Sequence, residues 1–250
     1  MAALEEVLRG RIPPWLLRLV KQAGRSINRF GMIGADDRIL LGTSGGKDSL
    51  VLALLLTLRK TWLPIDYDLK ALHIDWVEYP MTADEKDTLQ IYFDALKIPL
   101  EIHRTPMENP SFQGEFNCYL CARNRRRILF QKADELGISK IALGHHLDDF
   151  VETILINLCF RGSIESMQPV QDFFFGALHI IRPLCEIPEA AVQRIADRLD
   201  LPVIPKRCPH EAENIRFRLK PLVSELSHLD KLARSHIFEA FFGGKSKKTD

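Results

Sequence analysis

From Pro13 onward the apolar positions of the chain switch between two periods. Leu16, Leu19, Val20, Ala23, Ile27 and Phe30 recur at helical spacing, a single apolar face that Gly31 and Gly34 end. Arg38 to Leu41 reads as a short strand, and Leu50 to Leu56 is apolar all round, which predicts a buried helix. Leu69 to Ile74 is a second strand, 82–96 a helix, and Leu100 to His103 a third strand. Helix, strand and helix follow at about 122–136, 139–143 and 148–160; Leu178 to Ile181 is a fifth strand and 189–199 a helix. Regular alternation of this kind predicts an α/β fold, a doubly wound parallel five-stranded sheet. Leu222, Leu226, Leu229, Ala233, Ile237 and Phe241 continue one helical stripe with no strand beside it. The division expected is a helical segment at 1–35, the α/β domain at 36–210, and a helical appendage with a solvated tail at 211–250.

Composition narrows the class without naming a chemistry. Of the 250 residues 46% are hydrophobic, enough for a sizeable core, and 34 basic against 33 acidic side chains leave a net charge of +1. Global charge is therefore silent about nucleic acid, and only local clusters bear on it. No apolar run reaches the ~18 residues of a membrane span. Met1 to Glu6 has no basic region leading into an apolar one, so no signal peptide is expected. Five cysteines, an odd count, argue against a disulfide scaffold and for a reducing, cytoplasmic setting.

Between the first strand and the buried helix stands Thr43-Ser44-Gly45-Gly46-Lys47-Asp48-Ser49. Glycines let backbone amides approach an anion closely, and the amides of the following helix end point the same way. Ser44 and Ser49 add hydroxyl donors, and Lys47 a compact positive charge. A Walker loop would need glycine at Leu41 and Ser or Thr at Asp48, and the G-x-G-x-x-G fingerprint is absent. The bland alternative is a turn that merely starts a helix.

Ligands of doubly wound sheets sit at the carboxyl ends of strands. The loop, His73–Asp75 and Gly144–Asp149 are all expected there. Gly144-His145-His146-Leu147-Asp148-Asp149 closes a strand and places two acids in the first turn of a helix. Capping explains one acid. Two acids facing a phosphate loop also suit Mg²⁺ on a triphosphate.

Cys118 and Cys121 lie within reach of one soft metal centre, with Cys208 as a third candidate. With His210 the set would make a zinc site; three cysteines alone would leave one iron of an iron–sulfur cluster open. Cys159, among Ile156, Leu158 and Phe160, reads as a small hydrophobe of the core; Cys185, after Arg182-Pro183-Leu184, could be a ligand or structural, and the structural reading is preferred. Arg123, Arg125, Arg126 and Arg127 are either a solvated helix face paired with Asp134 and Glu135 or, with Lys206 and Arg207, a surface for a phosphate backbone.

Taken together, Ser44–Ser49, Cys118-x-x-Cys121, Gly144–Asp149, Ile181-Arg182-Pro183-Leu184 and Cys208 resemble the tRNA 2-thiocytidine synthetase (TtcA-like) family of PP-loop ATP pyrophosphatases, over about 40 to 220. That resemblance implies ATP with Mg²⁺, a 4Fe–4S cluster on Cys118, Cys121 and Cys208, and a cytidine of the tRNA anticodon loop, position 32, as substrate. It implies a sulfur donor such as a cysteine desulfurase, and a homodimer. Ser44, Gly45, Gly46, Lys47, Asp48, Ser49, His73, Asp75 and Gly144 would bind the nucleotide, and Asp48 and Asp149 the Mg²⁺. The base O2 would attack the α-phosphorus, pyrophosphate would leave, and sulfur would displace AMP; Arg125 would stabilise charge or grip RNA phosphate. The segment around Cys208 departs from the family pattern in lacking a second nearby cysteine. The rivals are another PP-loop ligase of lysidine type and a non-catalytic RNA-binding protein with a zinc knuckle.

Overall fold

The computed structural model describes residues 2–62, 65–107, 117–205 and 215–243, with the backbone alone at 2, 118, 216 and 217. Cys208, His210, Lys206, Arg207 and the lysine-rich tail lie outside these residues. The sheet is formed by β1 (Asp37–Thr43), β2 (Tyr67–Trp76), β3 (Leu100–Thr105), β4 (Lys140–Ala142), β5 (Val170–Phe173) and β6 (Leu178–Ile181). Their spatial order is β3-β2-β1-β4-β6-β5. Five strands run parallel, as expected, and β5 adds a sixth, antiparallel to β6 through the pairs Val170↔Ile181 to Phe173↔Leu178. A four-residue edge strand with no fully buried position gives no alternation to read, and so the pattern passes over it.

The helices follow from the same residues. Pro14 opens α2 (Pro14–Arg29), where its missing amide hydrogen costs nothing, and Leu16, Val20, Ala23 and Ile27 are buried. The run around Leu50–Leu56 forms α3 (Lys47–Lys60), which is buried on all sides between the sheet and its neighbours, as its composition requires. Thr82 caps α4 (Ala83–Ala95) in a reciprocal box with Glu85. The next helix, α5, spans Cys118–Glu135 and begins four residues earlier than periodicity predicts, because Asn117 accepts a hydrogen bond from the Leu120 amide at 3.0 Å. Two more helices, α6 (Leu147–Ile156) and α7 (Glu189–Arg198), complete the α/β units, and α6 ends in a π-helical turn, Asn157–Arg161.

At the amino terminus Ala2–Leu8 forms a short α1 whose Leu4 and Val7 are buried. The carboxyl-terminal stripe is not one helix but two, α8 (Ile215–Leu229) and α9 (Ala233–Phe242). The break falls at Asp230, whose carboxylate accepts the Leu232 amide at 2.8 Å and turns the chain. Both helices pack on α6. Phe238 is fully buried and sits edge-on to Phe30 at 6.2 Å and to Phe150 at 5.3 Å, so aromatic side chains from the carboxyl cap of α2, from α6 and from α9 share one core. None of the described helices is long and apolar enough to cross a membrane.

Because Phe238 joins three elements, Phe238→Ala is expected to cost about 3–5 kcal/mol in urea unfolding, the range for truncating a buried phenylalanine. A loss below about 1 kcal/mol would show that α9 is not part of the cooperative core.

Candidate functional site

The chain leaves β1, builds outward through β2 and β3, then returns to place β4 on the other side of β1. That reversal opens a crevice at the carboxyl ends of β1 and β4. Two helix starts meet there, α3 after β1 and α6 after β4. Gly144 is where they touch: a Cβ at this position would lie 2.8 Å from the backbone carbonyl of Asp48 and 3.0 Å from the amide nitrogen of Ser49. Only glycine allows this approach.

The loop itself is held by its own hydroxyls. Ser49 Oγ donates to the Gly46 carbonyl at 2.9 Å and receives the Ser44 amide at 3.2 Å. The Gly45 amide reaches Thr43 Oγ1 at 3.3 Å, and the Gly46 amide reaches Ser44 Oγ at 3.2 Å. These are long bonds by the standard of protein amides, which a stronger acceptor would displace. Gly45 sits at φ +74° and its carbonyl accepts the Ile204 amide at 2.9 Å, so the chain beyond α7 is fastened to the loop.

Lys47 Nζ lies 3.0 Å from Glu189 Oε1 and 3.3 Å from Asp48 Oδ1. Burial pulls the ammonium down, but Asp48 and Glu189 outweigh it and leave Lys47 above its ordinary value. Burial pushes Glu189 up, yet its bond to Lys47 and the nearby charges hold it at about 2. The two acids at the start of α6 have separate tasks. Asp149 Oδ2 accepts the His146 amide at 2.9 Å, the capping role. Asp148 is buried, accepts the Glu189 amide at 2.6 Å and pairs with Arg234 of α9.

Asp48 Oδ1 is buried without accepting a hydrogen bond, and His146 Nε2 is 3.9 Å away. A buried carboxylate oxygen beside a phosphate-sized loop, paired with the Lys47 ammonium at 3.3 Å, fits a divalent cation. His73 and Asp75, expected among the nucleotide-binding residues, are both buried. His73 Nδ1 must carry a hydrogen, since its partner 3.1 Å away is the Thr43 carbonyl, and burial pushes the ring down to about 4. It braces the strand end that launches the loop. Asp75 accepts the Met81 amide at 2.8 Å and pairs with Lys86 at 2.7 Å, so its carboxylate serves the turn after β2.

Positions 118 and 121 lie one turn apart at the start of α5, the helix that descends from the carboxyl edge. Cys121 is half-buried against the apolar cluster that contains Ile74 and Trp76. Thiolate donors at a helix amino end suit a soft metal. Among the described residues no three His, Cys, Asp or Glu side chains converge as a metal site. Cys159 is exposed in the π-helical turn, not a core hydrophobe as expected, because that turn swings it out of the α6 seam. Cys185 is fully buried and its thiol is pushed up by burial, as its core reading requires. Arg123, Arg125, Arg126 and Arg127 form an exposed face of α5, and the Arg125 guanidinium lies 5.9 Å from the Trp76 ring centre.

A family model described as a PP-loop domain matches residues 19–205. The tRNA-cytidine(32) 2-sulfurtransferase of Pelobacter propionicus is 36% identical over 233 residues, covering 91% of this chain and 86% of that protein. The chain belongs to the PP-loop tRNA-cytidine 2-sulfurtransferases. The sulfurtransferase of Polynucleobacter asymbioticus is 36% identical over 192 residues, and there the match takes in 63% of the relative's length. Among solved structures, the U34-tRNA thiolase NcsA of Methanococcus maripaludis, with its 4Fe–4S cluster, has a TM-score of 0.77 at 21% identity, covering 94% of this chain and 81% of that one. It shares the fold.

Glu189, Lys220 and Arg234 escape a motif search, and Arg182 is legible only within Ile181-Arg182-Pro183-Leu184. Glu189 is legible only as an acid in the first turn of α7, where the helix dipole alone would explain it. Arg182 is buried; it donates to the Gln168 carbonyl at 2.5 Å and to Gln171 Oε1 at 3.1 Å, and lies 3.3 Å from His145 Nδ1. Burial, with repulsion from Arg126, lowers it to about 10, so it remains a cation. Lys220 and Arg234, on the carboxyl-terminal helices, carry no signal at all.

His73 gives a prediction with a sign. Its ring is depressed to about 4 in the fold, against an ordinary value of 6.5, so the unfolded chain binds the proton more readily. Stability should fall as pH drops from 6.5 towards 4, by up to about 3 kcal/mol. His73→Asn, which keeps a donor for the Thr43 carbonyl, should flatten that part of the pH–stability curve. An unchanged curve would mean the ring is not buried in its neutral form.

Proposed function

We propose that this protein thiolates the cytidine at position 32 of a tRNA anticodon loop, using ATP and releasing AMP and pyrophosphate. The observation that carries the reading is the loop at 44–49 with its amides and Lys47 gathered at the β1–β4 crevice. The names of the curated relatives supply the substrate.

In this reading residues 36–210 carry the chemistry, and 1–35 and 211–250 are helical additions. The amides of Ser44, Gly45 and Gly46 would turn from their hydroxyl partners to the β and γ phosphates, with the Ser49 hydroxyl and Lys47 placed against the same charge. Gly144 keeps the second helix end close enough to share the field of the first. His73 and Asp75 hold the strand ends that border the nucleotide. Asp48, through its buried Oδ1, and Asp149 would hold Mg²⁺, which neutralises triphosphate charge. What the chain contributes to adenylation of the base O2 is positioning and preorganised charge.

Cys118, Cys121 and Cys208 would hold a 4Fe–4S cluster, which when bound supplies the sulfur that replaces oxygen. Cys121, at the carboxyl edge and one turn before Arg125, fits that set. Arg125, with the arginines that follow it, would grip the RNA backbone or steady the developing charge. A cysteine desulfurase or another sulfur donor, a homodimer and a cytoplasmic location complete the proposal.

Incubation with ATP, Mg²⁺ and tRNA should therefore yield AMP and pyrophosphate. ADP and phosphate as the main products would refute it. Lys47→Ala and Asp48→Ala should each lower turnover by roughly 10²–10³-fold with the fold intact by circular dichroism. Near-normal thiolation by both would remove this loop from the active site.

For the cluster, alanine at Cys118, Cys121 or Cys208 should abolish the brown absorbance of anaerobically purified protein. Cys159→Ala should keep it, since Cys159 lies past the far end of α6 from its His146 cap. A cluster retained in Cys208→Ala and lost in Cys159→Ala would overturn the ligand set.

A further inference from the structure

Glu189 stands between two lysines. Its Oε1 is 3.0 Å from Lys47 Nζ and 3.3 Å from Lys220 Nζ, one carboxylate oxygen shared by a loop residue and a residue of α8. Neither α8 nor Glu189 is free to drift. The Glu189 amide donates to Asp148, and the other oxygen of Asp148 holds Arg234 of α9. Leu219 and Val223, flanking Lys220, are buried as α8 packs on α6. The carboxyl-terminal pair of helices thus delivers a cation to the residue that holds the phosphate-loop lysine.

The arrangement poses an electrostatic problem for a polyanionic ligand. In the structure Lys47 faces two carboxylates, Asp48 and Glu189, and not an empty cradle. A triphosphate entering the loop must take Lys47 away from Glu189 and must tolerate the carboxylate left behind. Partly buried charges at such distances interact strongly, so an uncompensated Glu189 would oppose binding. A second ammonium on the same oxygen removes both difficulties. It weakens the hold of Glu189 on Lys47, and it neutralises Glu189 once Lys47 has turned.

We propose that Lys220 is a positioning residue for ATP, which frees Lys47 for the phosphates by acting as the alternative partner of Glu189. The carboxyl-terminal helices are by this inference part of the nucleotide site and not only a cover for the core. The inference rests on the reading of the 44–49 loop as the ATP site.

The test is titration calorimetry of the full chain with α,β-methylene-ATP and Mg²⁺, which reads binding without turnover. Wild-type protein should bind the analogue; failure to bind would overturn the ATP site itself and this inference with it. Lys220→Ala should weaken binding by roughly threefold to tenfold, while Lys220→Arg should stay near wild type. In a Glu189→Gln background, where no carboxylate competes for Lys47, Lys220→Ala should change the affinity by less than about twofold. Wild-type affinity in Lys220→Ala would overturn the inference. So would a loss that persists unchanged in the Glu189→Gln background, because Lys220 would then act by some route other than Glu189.

Discussion

The site depends on one close contact, the packing of Gly144 against the first turn of α3. With 2.8 Å separating the position of an absent Cβ from the Asp48 carbonyl, two helix amino ends are brought together at the reversal of strand order. Each end presents unsatisfied amides and a partial positive charge. Set apart, each would be an ordinary helix start. Set side by side, with Lys47 and Ser49 on one and His146 on the other, they form a concave region whose field favours an anion.

The same contact explains why the acids of the site are so thoroughly engaged. Positive potential at paired helix ends draws carboxylates in the absence of a ligand, and Asp149, Asp148 and Glu189 all lie in first turns. Each has been given a defined partner: the His146 amide, the Glu189 amide with Arg234, and Lys47 with Lys220. Asp48 differs, since Oδ1 is buried near Lys47 and His146 but accepts no hydrogen bond. Its Oδ1 is held by charge, 3.3 Å from the Lys47 ammonium, and not by a backbone amide as in Asp149 and Asp148.

What the sequence disclosed followed from how local each feature is. The loop, the all-apolar α3 and the Gly-His-His-x-Asp-Asp turn declare themselves within a few residues, and the fold class and the place of the candidate site follow from them. Where alternation is short, the reading failed: β5 has four residues at an exposed edge, and the pattern cannot mark it. The carboxyl-terminal stripe kept its phase across Asp230, so a turn made by one side chain was invisible to periodicity. Cys159 was misjudged for a similar reason, because a π-helical turn shifts the face on which later residues fall. The pairing of Glu189 with Lys47 spans 142 residues of sequence, and no local pattern encodes an ion pair of that range.

That long-range ion pair changes what the helical additions are for. An α/β core of this size closes without α8 and α9 only if the outer face of α6 is otherwise covered, and Phe238 and Phe242 supply that cover through Phe150. Packing alone, however, would be served by any apolar stripe and would place no demand on Lys220 or Arg234. Arg234 spends its charge on a buried aspartate, a pairing whose desolvation cost is recovered only if its geometry is kept. The buried pair therefore fixes where α9 lies on α6, and through the Asp148–Glu189 bond it also fixes the start of α7. A helix held by shape could slide by a fraction of a turn; a helix held by this carboxylate cannot do so without moving the partner of Lys47. Registry of the carboxyl-terminal helices and registry of the phosphate-loop lysine are thus the same constraint.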